Sequence, residues 1–217
     1  MSIRVLLADD HQMLRDSLRL MLESEDYLEV VGEAGDGRTA VTMARTLVPD
    51  VVVMDITMPD LNGVEATHQI KAENSTVKVI ALSRHSDRRY VMRMLESGAS
   101  GYVIKAAAYD ELRRAILVVS QGKSYLSPDI TGIVLDAQFR PSSEAGTPKH
   151  ATLGPREREI VQLLAEGHTS PQIAQRLHIS ARTVETHRRN IMKKLGLHSV
   201  AELTKYAILE GLTPLDR

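Results

Sequence analysis

The stretch VVVMDITMPD, residues 51–60, decides the fold of this chain. In it, four consecutive apolar residues are followed directly by an acidic residue, Asp55. Short runs of this kind, rich in β-branched residues, are typical of buried parallel strands. A similar run over residues 3–8 ends at Asp9 and Asp10, and another over residues 101–104 ends at Lys105. Because the carboxyl ends of parallel strands meet at one edge of a sheet, we expect these acids and the lysine to lie together.

The charges at that edge predict a metal site. Three carboxylates repel one another unless a cation lies between them, and a hard divalent ion such as Mg²⁺ prefers their oxygen atoms as ligands. With a lysine beside them, the acids favour metal-assisted phosphoryl chemistry. His11 follows the acidic pair, and we interpret it as a first-turn residue of a helix rather than a ligand, since Mg²⁺ prefers oxygen.

Strand-like and helical segments alternate over residues 1–121. The predicted strands are Ile3–Ala8, Leu28–Ala34, Val51–Asp55, Lys78–Ser83 and Gly101–Ile104. The predicted helices lie near residues 12–23, 37–47, 63–73, 87–97 and 109–121. Five such alternations indicate an α/β domain with a doubly wound, five-stranded parallel sheet and helices on both faces.

Composition sets limits on the function. The 217 residues with 43% hydrophobic content suit two modest domains, and the absence of cysteine excludes disulfides and thiolate chemistry. Neither a membrane-length apolar stretch nor a signal-peptide pattern is present, so we expect a cytoplasmic protein.

Charge differs between the two parts of the chain. Residues 1–147 carry 16 Lys and Arg against 21 Asp and Glu, a net charge of −5, whereas residues 148–217 carry 11 against 7, a net charge of +4. This asymmetry indicates that the C-terminal part meets a polyanion.

The first part resembles the receiver domains of two-component systems, with a flavodoxin-like sheet. The resemblance is carried by Asp9, Asp10, DITMP at residues 55–59, Gly63, Leu82-Ser83, Gly101-Tyr102 and Lys105. It implies that Asp55 accepts a phosphoryl group from a sensor histidine kinase. It also implies that Asp10, Asp55 and the backbone carbonyl of Thr57 bind Mg²⁺, with Asp9 helping through water.

The same resemblance assigns roles to three further residues. Lys105 would hold a phosphoryl oxygen, the Ser83 hydroxyl would donate to another, and Tyr102 would change rotamer as Ser83 moves. Taken alone, Ser83 and Tyr102 could also be simple turn or rim residues. Arg84 departs from the small or unbranched residue usual at its position, and could either block phosphoryl donors or pair with the phosphoryl group.

Residues 122–151 read as a linker that contains a short helix from about Asp129 to Gln138.

Four short helical segments follow in residues 152–217. The third segment begins after Ser180 and carries two opposite stripes. Its apolar stripe is Val184, Ile191 and Leu195, and its polar stripe is Arg182, Thr186, Arg189 and Lys193. Such a helix suits the DNA major groove, although a single charged stripe is often only a solvated face.

The sequence of residues 152–217 resembles the LuxR-type helix-turn-helix domain. The matching residues are PRERE at 155–159, Ile173-Ala174, Ile179-Ser180, TVETH at 183–187 and Leu195-Gly196. Together with a receiver, it indicates the NarL/FixJ family of response regulators.

By position, Glu185, Thr186 and Arg189 would read base edges, whereas Arg182 and Lys193 would meet phosphates. Glu185 could instead pair with Arg189 four residues on, and we favour that pair.

The resemblance also implies dimerisation of the activated protein through the last helix, by Val200, Leu203 and Tyr206. Leu203 and Tyr206 could equally complete the core of their own domain.

The sequence therefore predicts a DNA-binding transcriptional response regulator that is switched by Mg²⁺-dependent phosphorylation of Asp55, and not an enzyme. Two other hypotheses are weighed against it. A phosphatase of the haloacid dehalogenase type would have a second Asp where this chain has Thr57. A regulator with a degenerate receiver has only Arg84 in its favour.

Overall fold

The computed structural model describes residues 2–106, 109–139 and 153–214. The chain divides between residues 141 and 142 into two compact units.

The first unit is an α/β sandwich. Its strands are β1 (Ile3–Ala8), β2 (Leu28–Ala34), β3 (Val51–Met54), β4 (Lys78–Ser83), β5 (Gly101–Ile104) and β6 (Tyr125–Leu126). Its helices are α1 (Gln12–Glu23), α2 (Gly37–Leu47), α3 (Gly63–Glu73), α4 (Arg88–Glu96), α5 (Tyr109–Ser120) and α6 (Pro128–Phe139). The strands pair in parallel in the order β2-β1-β3-β4-β5-β6. This is the doubly wound parallel fold that the alternation predicted.

The sheet has six strands among the described residues, and the predicted number of five is wrong. β6 pairs Tyr125 with Gly101 and Leu126 with Tyr102. A strand of two residues gives no periodic pattern, which is why the sequence indicated only a linker there.

Helices cover both faces of the sheet, so that the strands are buried on both sides. Side chains that alternate along β1 show this: Val5 and Leu7 enter the core beneath α1 and α5, whereas Leu6 and Ala8 enter the core beneath α2, α3 and α4. Burial on both faces explains why the strand sequences are continuous apolar runs rather than alternating ones.

Part of the predicted linker packs on the first unit. Helix α6 contains the short helix expected from about Asp129 to Gln138, and its Ile130 is fully buried in the core that also holds Tyr102. The Ser127 N–H donates to the Tyr102 carbonyl at 2.9 Å. The chain is thus attached to β5 just before α6 begins.

The second unit is a small helical domain. Its helices are α7 (Pro155–Ala165), α8 (Ser170–Leu177), α9 (Ala181–Leu195) and α10 (Val200–Leu209). The turn between α8 and α9 contains His178 in the left-handed region at φ 52°, and the Ser180 hydroxyl accepts from the Thr183 N–H at 3.0 Å. This cap fixes where α9 begins.

Within the described ranges, no helix combines the length and the apolar character that a membrane span requires.

Candidate functional site

The carboxyl edge of the sheet brings together the charged residues that the sequence singled out. Asp9 and Asp55 are only 3% and 2% exposed. The Lys105 ammonium lies 2.6 Å from Asp9 Oδ2 and 2.9 Å from Asp55 Oδ2. Buried charges are costly unless they are paired, so this triad is a built feature rather than a solvated surface cluster.

Backbone contacts hold Asp55 in place directly after β3. Its N–H donates to the Ala8 carbonyl at 2.7 Å, and its Oδ1 accepts from the Ile56 N–H at 2.7 Å. The start of α3 lies against the same turn: a Cβ added to Gly63 would meet the Asp55 carbonyl oxygen at 1.9 Å. Glycine is therefore required at residue 63 for the backbone to approach Asp55 this closely.

The environment shifts the proton affinity of Asp55. Burial raises its pKa from 3.8 to about 6, and the nearby Asp9 charge acts in the same direction, whereas the Lys105 charge opposes them. The carboxylate form therefore needs positive charge beside it, and a bound cation would supply more.

Four side chains at this edge offer ligand atoms that lie within 4.8 Å of one another, namely Asp9, Asp10, His11 and Asp55. The oxygen atoms of three carboxylates fit a hard divalent cation. Thr57 lies two residues beyond Asp55 and is partly buried. The role of its carbonyl as a ligand stays a prediction.

His11 differs from its interpretation as a first-turn residue. It is the N-cap of α1, which begins at Gln12. Its Nδ1 lies 2.8 Å from Asp10 Oδ1 and 3.1 Å from Asp9 Oδ1. The sequence could not show this, because the direction of a cap side chain depends on the turn that holds it.

Ser83 and Tyr102 are interior residues of the first unit, and their roles in the switch stay predictions. Both are fully buried. Ser83 Oγ accepts from the His85 N–H at 3.1 Å, and the Tyr102 hydroxyl donates to the His85 carbonyl at 2.6 Å. Burial raises the pKa of Tyr102, so the ring remains a neutral donor. One loop residue, His85, thus connects the two predicted switch residues.

An aromatic stack covers this loop. The His85 and Tyr90 rings are 4.4 Å apart at an interplanar angle of 14°. Burial lowers the pKa of His85, and the Arg84 charge adds to that effect. Arg84 itself is exposed. Tyr90 was missed in the sequence, because a contact between a loop and the first turn of α4 leaves no periodic signal.

In the second unit, α9 has the two faces that its sequence predicts. Val184, Ile191 and Leu195 are buried in the core of the unit. The opposite stripe is exposed and consists of Arg182, Thr186, Arg189 and Lys193. A positive helix face that is open to solvent is available to a polyanion.

The contacts of Glu185 differ from those predicted. Its carboxylate accepts a hydrogen bond from the Ser170 hydroxyl at the start of α8, and it lies 3.9 Å from Arg188. The favoured pair with Arg189 is therefore wrong. The partner comes from α8, and a contact between helices could not be found from spacing within α9.

The three residues predicted for dimerisation have different environments. Leu203 is fully buried in the core of its own unit, where α10 packs on α7, so its prediction as a dimer contact is wrong. Tyr206 is partly buried against the same core, whereas Val200 is 39% exposed. Apolar periodicity on a last helix does not distinguish its own core from a partner.

Fold and site together define a class of protein. A parallel α/β unit with an acid-and-lysine edge, in one chain with a helix-turn-helix unit whose outer helix face is basic, is the architecture of a DNA-binding response regulator.

Comparison with known proteins agrees with this class. Residues 5–117 match the response regulator receiver domain, and residues 151–207 match the luxR family of bacterial regulatory proteins. The chain is 41% identical over 205 residues to the transcriptional regulatory protein LiaR of Bacillus subtilis, covering 94% of this chain and 96% of that protein. It is 39% identical over 210 residues to the transcriptional regulatory protein MctR of Rhizobium johnstonii, covering 97% and 95%.

A solved structure is similar over both units. RcsB from Salmonella enterica serovar Typhimurium, bound to promoter DNA in the presence of a phosphomimetic, is 25% identical, with a TM-score of 0.60 and coverage of 98% of this chain and 100% of that one. The chain therefore belongs to the LuxR-type response regulators. It is a two-component response regulator with a receiver domain and a LuxR-type DNA-binding domain.

Proposed function

We propose that the chain is a transcription regulator whose DNA binding is switched by phosphorylation of Asp55 by a sensor histidine kinase. The observation that carries the proposal is the buried triad of Asp9, Asp55 and Lys105, with the ammonium within 3 Å of both carboxylates. A buried nucleophilic carboxylate beside a cation is suited to form an acyl phosphate.

The two oxygen atoms of Asp55 are not equivalent. Oδ1 accepts from the Ile56 N–H, whereas Oδ2 faces the Lys105 ammonium. We assign Oδ2 as the nucleophile. It attacks the phosphorus of a phosphohistidine, the new O–P bond forms as the P–N bond breaks, and the electron pair leaves with the kinase imidazole.

The residues around Asp55 then hold the phosphoryl group. Lys105 moves from the carboxylates to a phosphoryl oxygen as a point charge. The Ser83 hydroxyl, which accepts from the His85 N–H in this structure, turns and donates to a second phosphoryl oxygen.

Mg²⁺ is the ion that fits this donor set best. Asp10, Asp55 and the Thr57 carbonyl would hold it, with Asp9 in contact through water. When bound, the ion neutralises charge that develops on the phosphoryl oxygens.

The switch would then act through β4 and β5. When Ser83 turns toward the phosphoryl group, the His85 N–H loses its acceptor, and the carbonyl of the same residue holds the Tyr102 hydroxyl. Movement of this loop frees Tyr102 to change rotamer and alters the surface formed by α4 and β5.

DNA binding is assigned to the exposed face of α9. Thr186 and Arg189 are proposed to read base edges, and Arg182 and Lys193 to meet phosphates. The Glu185 carboxylate accepts a hydrogen bond from the Ser170 hydroxyl, and we propose that this contact orients the exposed face of α9. If DNA binding breaks this contact, the carboxylate could accept a hydrogen bond from a cytosine amino group instead. Support comes from the similarity to RcsB, which is described with promoter DNA and as dimers on DNA.

These assignments give each segment of the chain its own role. Residues 1–121 would carry the phosphoryl chemistry, 122–151 would link, and 152–217 would bind promoter DNA in the cytoplasm. Val200 and Tyr206 on α10 are proposed as contacts of an activated homodimer.

Intact mass after treatment with acetyl phosphate and Mg²⁺ tests the phosphoryl assignment. We expect one phosphoryl adduct on the wild type, none on Asp55→Ala, and one on the matched control Asp16→Ala, whose carboxylate is exposed on α1. An adduct that persists on Asp55→Ala would overturn the assignment. No adduct on any of the three folded proteins would count against the phosphorylation switch and favour a regulator that is controlled by something other than an acyl phosphate.

A further inference from the structure

One guanidinium lies buried beside the turn between β1 and α1. Arg15 is only 8% exposed, and arginine is seldom buried to this degree unless its N–H groups have partners. Its Nη1 donates to the backbone carbonyl of Asp9, and its Nη2 donates to the side-chain carbonyl of Gln12. Its Nε lies 3.7 Å from Glu33 Oε2, near the end of β2. Arg15 thus connects α1 to the ends of both β1 and β2.

The carbonyl that Arg15 holds belongs to the peptide group that joins Asp9 to Asp10. Because a peptide group is planar, fixing its carbonyl also fixes the direction in which the next residue follows. The Asp9 N–H donates to the Ala34 carbonyl at 3.0 Å, and Asp9 Oδ2 lies 2.6 Å from the Lys105 ammonium. The backbone and the carboxylate of Asp9 are therefore both held in place. Asp10 is placed relative to them through the peptide group that Arg15 contacts.

The charge of Arg15 acts on a metal ion in the direction opposite to this contact. A cation beside a metal site repels the incoming ion. Loss of the Arg15 charge alone would therefore tighten metal binding, whereas loss of its hydrogen bond to the Asp9 carbonyl would weaken it. The sign of the change in metal affinity distinguishes the two effects.

We propose that Arg15 is a positioning residue of the metal site, because it holds the carbonyl between the two acids and so directs Asp10 toward the ion. This inference rests on the proposed function, since it requires that the acids hold Mg²⁺. In this role the guanidinium touches neither the ion nor the phosphoryl group. Groups that orient metal ligands change metal affinity when they are removed, although they do not touch the metal themselves.

Isothermal titration calorimetry of the full chain with MgCl₂ tests this role. We expect Arg15→Met, which removes the charge and all donors, to weaken Mg²⁺ binding roughly tenfold. Arg15→Lys retains the charge and one donor but loses the fork, so its affinity should fall between those of Arg15→Met and the wild type. The matched control is Arg19→Met, one turn further along α1. The Arg19 guanidinium donates to Glu33 and Glu23 instead, so this variant should bind Mg²⁺ as the wild type does.

A second readout separates positioning from a general loss of structure. The rate of Asp55 labelling by acetyl phosphate is measured as a function of Mg²⁺ concentration. In Arg15→Met, the Mg²⁺ concentration for half-maximal rate should rise with the dissociation constant, whereas the rate at saturating Mg²⁺ should stay close to that of the wild type. A general loss of structure would lower the rate at saturating Mg²⁺ as well.

The outcomes separate this inference from the proposed function. Unchanged or tighter Mg²⁺ binding by folded Arg15→Met would overturn the positioning role and leave the metal-dependent switch intact. A lower rate at saturating Mg²⁺ with an unchanged half-maximal concentration would overturn it as well. If Arg15→Met does not fold, wild-type affinity in Arg15→Lys overturns the role. Failure of the wild type to bind Mg²⁺ would overturn the proposed metal-dependent function, and this inference with it.

Discussion

The two charged regions of this molecule hold their charges in opposite environments. At the sheet edge, Asp9, Asp55 and Lys105 are almost fully buried and paired with one another. On α9, Arg189 and Lys193 are exposed. A buried group of charges accepts only a ligand that pairs with all of them, because each buried charge left unpaired costs free energy. An exposed stripe tolerates many polyanions, and its attraction is screened by salt.

The strictest test of the buried region is the glycine beside it. Gly63→Ala places a methyl group 1.9 Å from the Asp55 carbonyl oxygen, so the turn must shift. We expect a loss of roughly 3 kcal/mol or more in unfolding free energy and loss of acetyl phosphate labelling. Urea denaturation and intact mass measure both. Gly132→Ala in α6 is the control, since no atom lies within 4 Å of its added Cβ. Equal stability of the two variants would refute the close approach.

A second test separates core from surface on α10. Leu203→Ala should cost about 3 kcal/mol of unfolding free energy, because its side chain is fully buried. Leu209→Ala should change it by less than about 0.5 kcal/mol, because that side chain is 55% exposed. Thermal and urea unfolding of the two variants give the answer. A neutral Leu203→Ala that loses only dimerisation would restore the original prediction of Leu203 as a dimer contact.

The raised pKa of Asp55 predicts a pH dependence of stability without metal. Between pH 3.8 and about 6, the folded state binds more protons than the unfolded state, so stability falls as pH rises through that window. Asp55→Asn removes the titrating carboxyl group and with it this pH dependence. Its stability relative to the wild type should rise by about 2 kcal/mol between pH 4 and pH 7 in the presence of a chelator. Asp16→Asn serves as the exposed control. A stability difference between Asp55→Asn and the wild type that does not change with pH would contradict the raised pKa of Asp55.

The smallest effect concerns salt. Each phosphate contact contributes about 0.9 to the slope of log affinity against log salt concentration for duplex DNA. Lys193→Ala should lower that slope by about 1, whereas Glu210→Ala, at the C-cap of α10, should leave it unchanged. Fluorescence anisotropy with labelled duplex at several salt concentrations measures the slopes. Labelling of Asp55 by acetyl phosphate should depend much less on salt, because that charge set is shielded from solvent. An unchanged slope in Lys193→Ala would remove this residue from the phosphate contacts.

Much of the site could be predicted from the sequence, and the rest could not, for physical reasons. Asp55 and Lys105 end apolar runs, and parallel strands bring their carboxyl ends together, so their meeting follows from local pattern and topology. The pairing of Glu185 with Ser170 and the burial of Leu203 depend on how helices pack. The ring position of His11 depends on one turn conformation. Periodicity within a segment contains no information on such contacts.

We propose that chemistry at the buried triad governs DNA binding by the exposed face of α9. The most direct measurement is capture of fragmented genomic DNA by the purified chain, with and without acetyl phosphate and Mg²⁺, followed by sequencing of the bound fragments. We predict that treatment enriches a defined set of fragments for the wild type and has no effect on Asp55→Asn. An identical set of bound fragments from treated and untreated wild type, with the phosphoryl adduct present, would contradict the account.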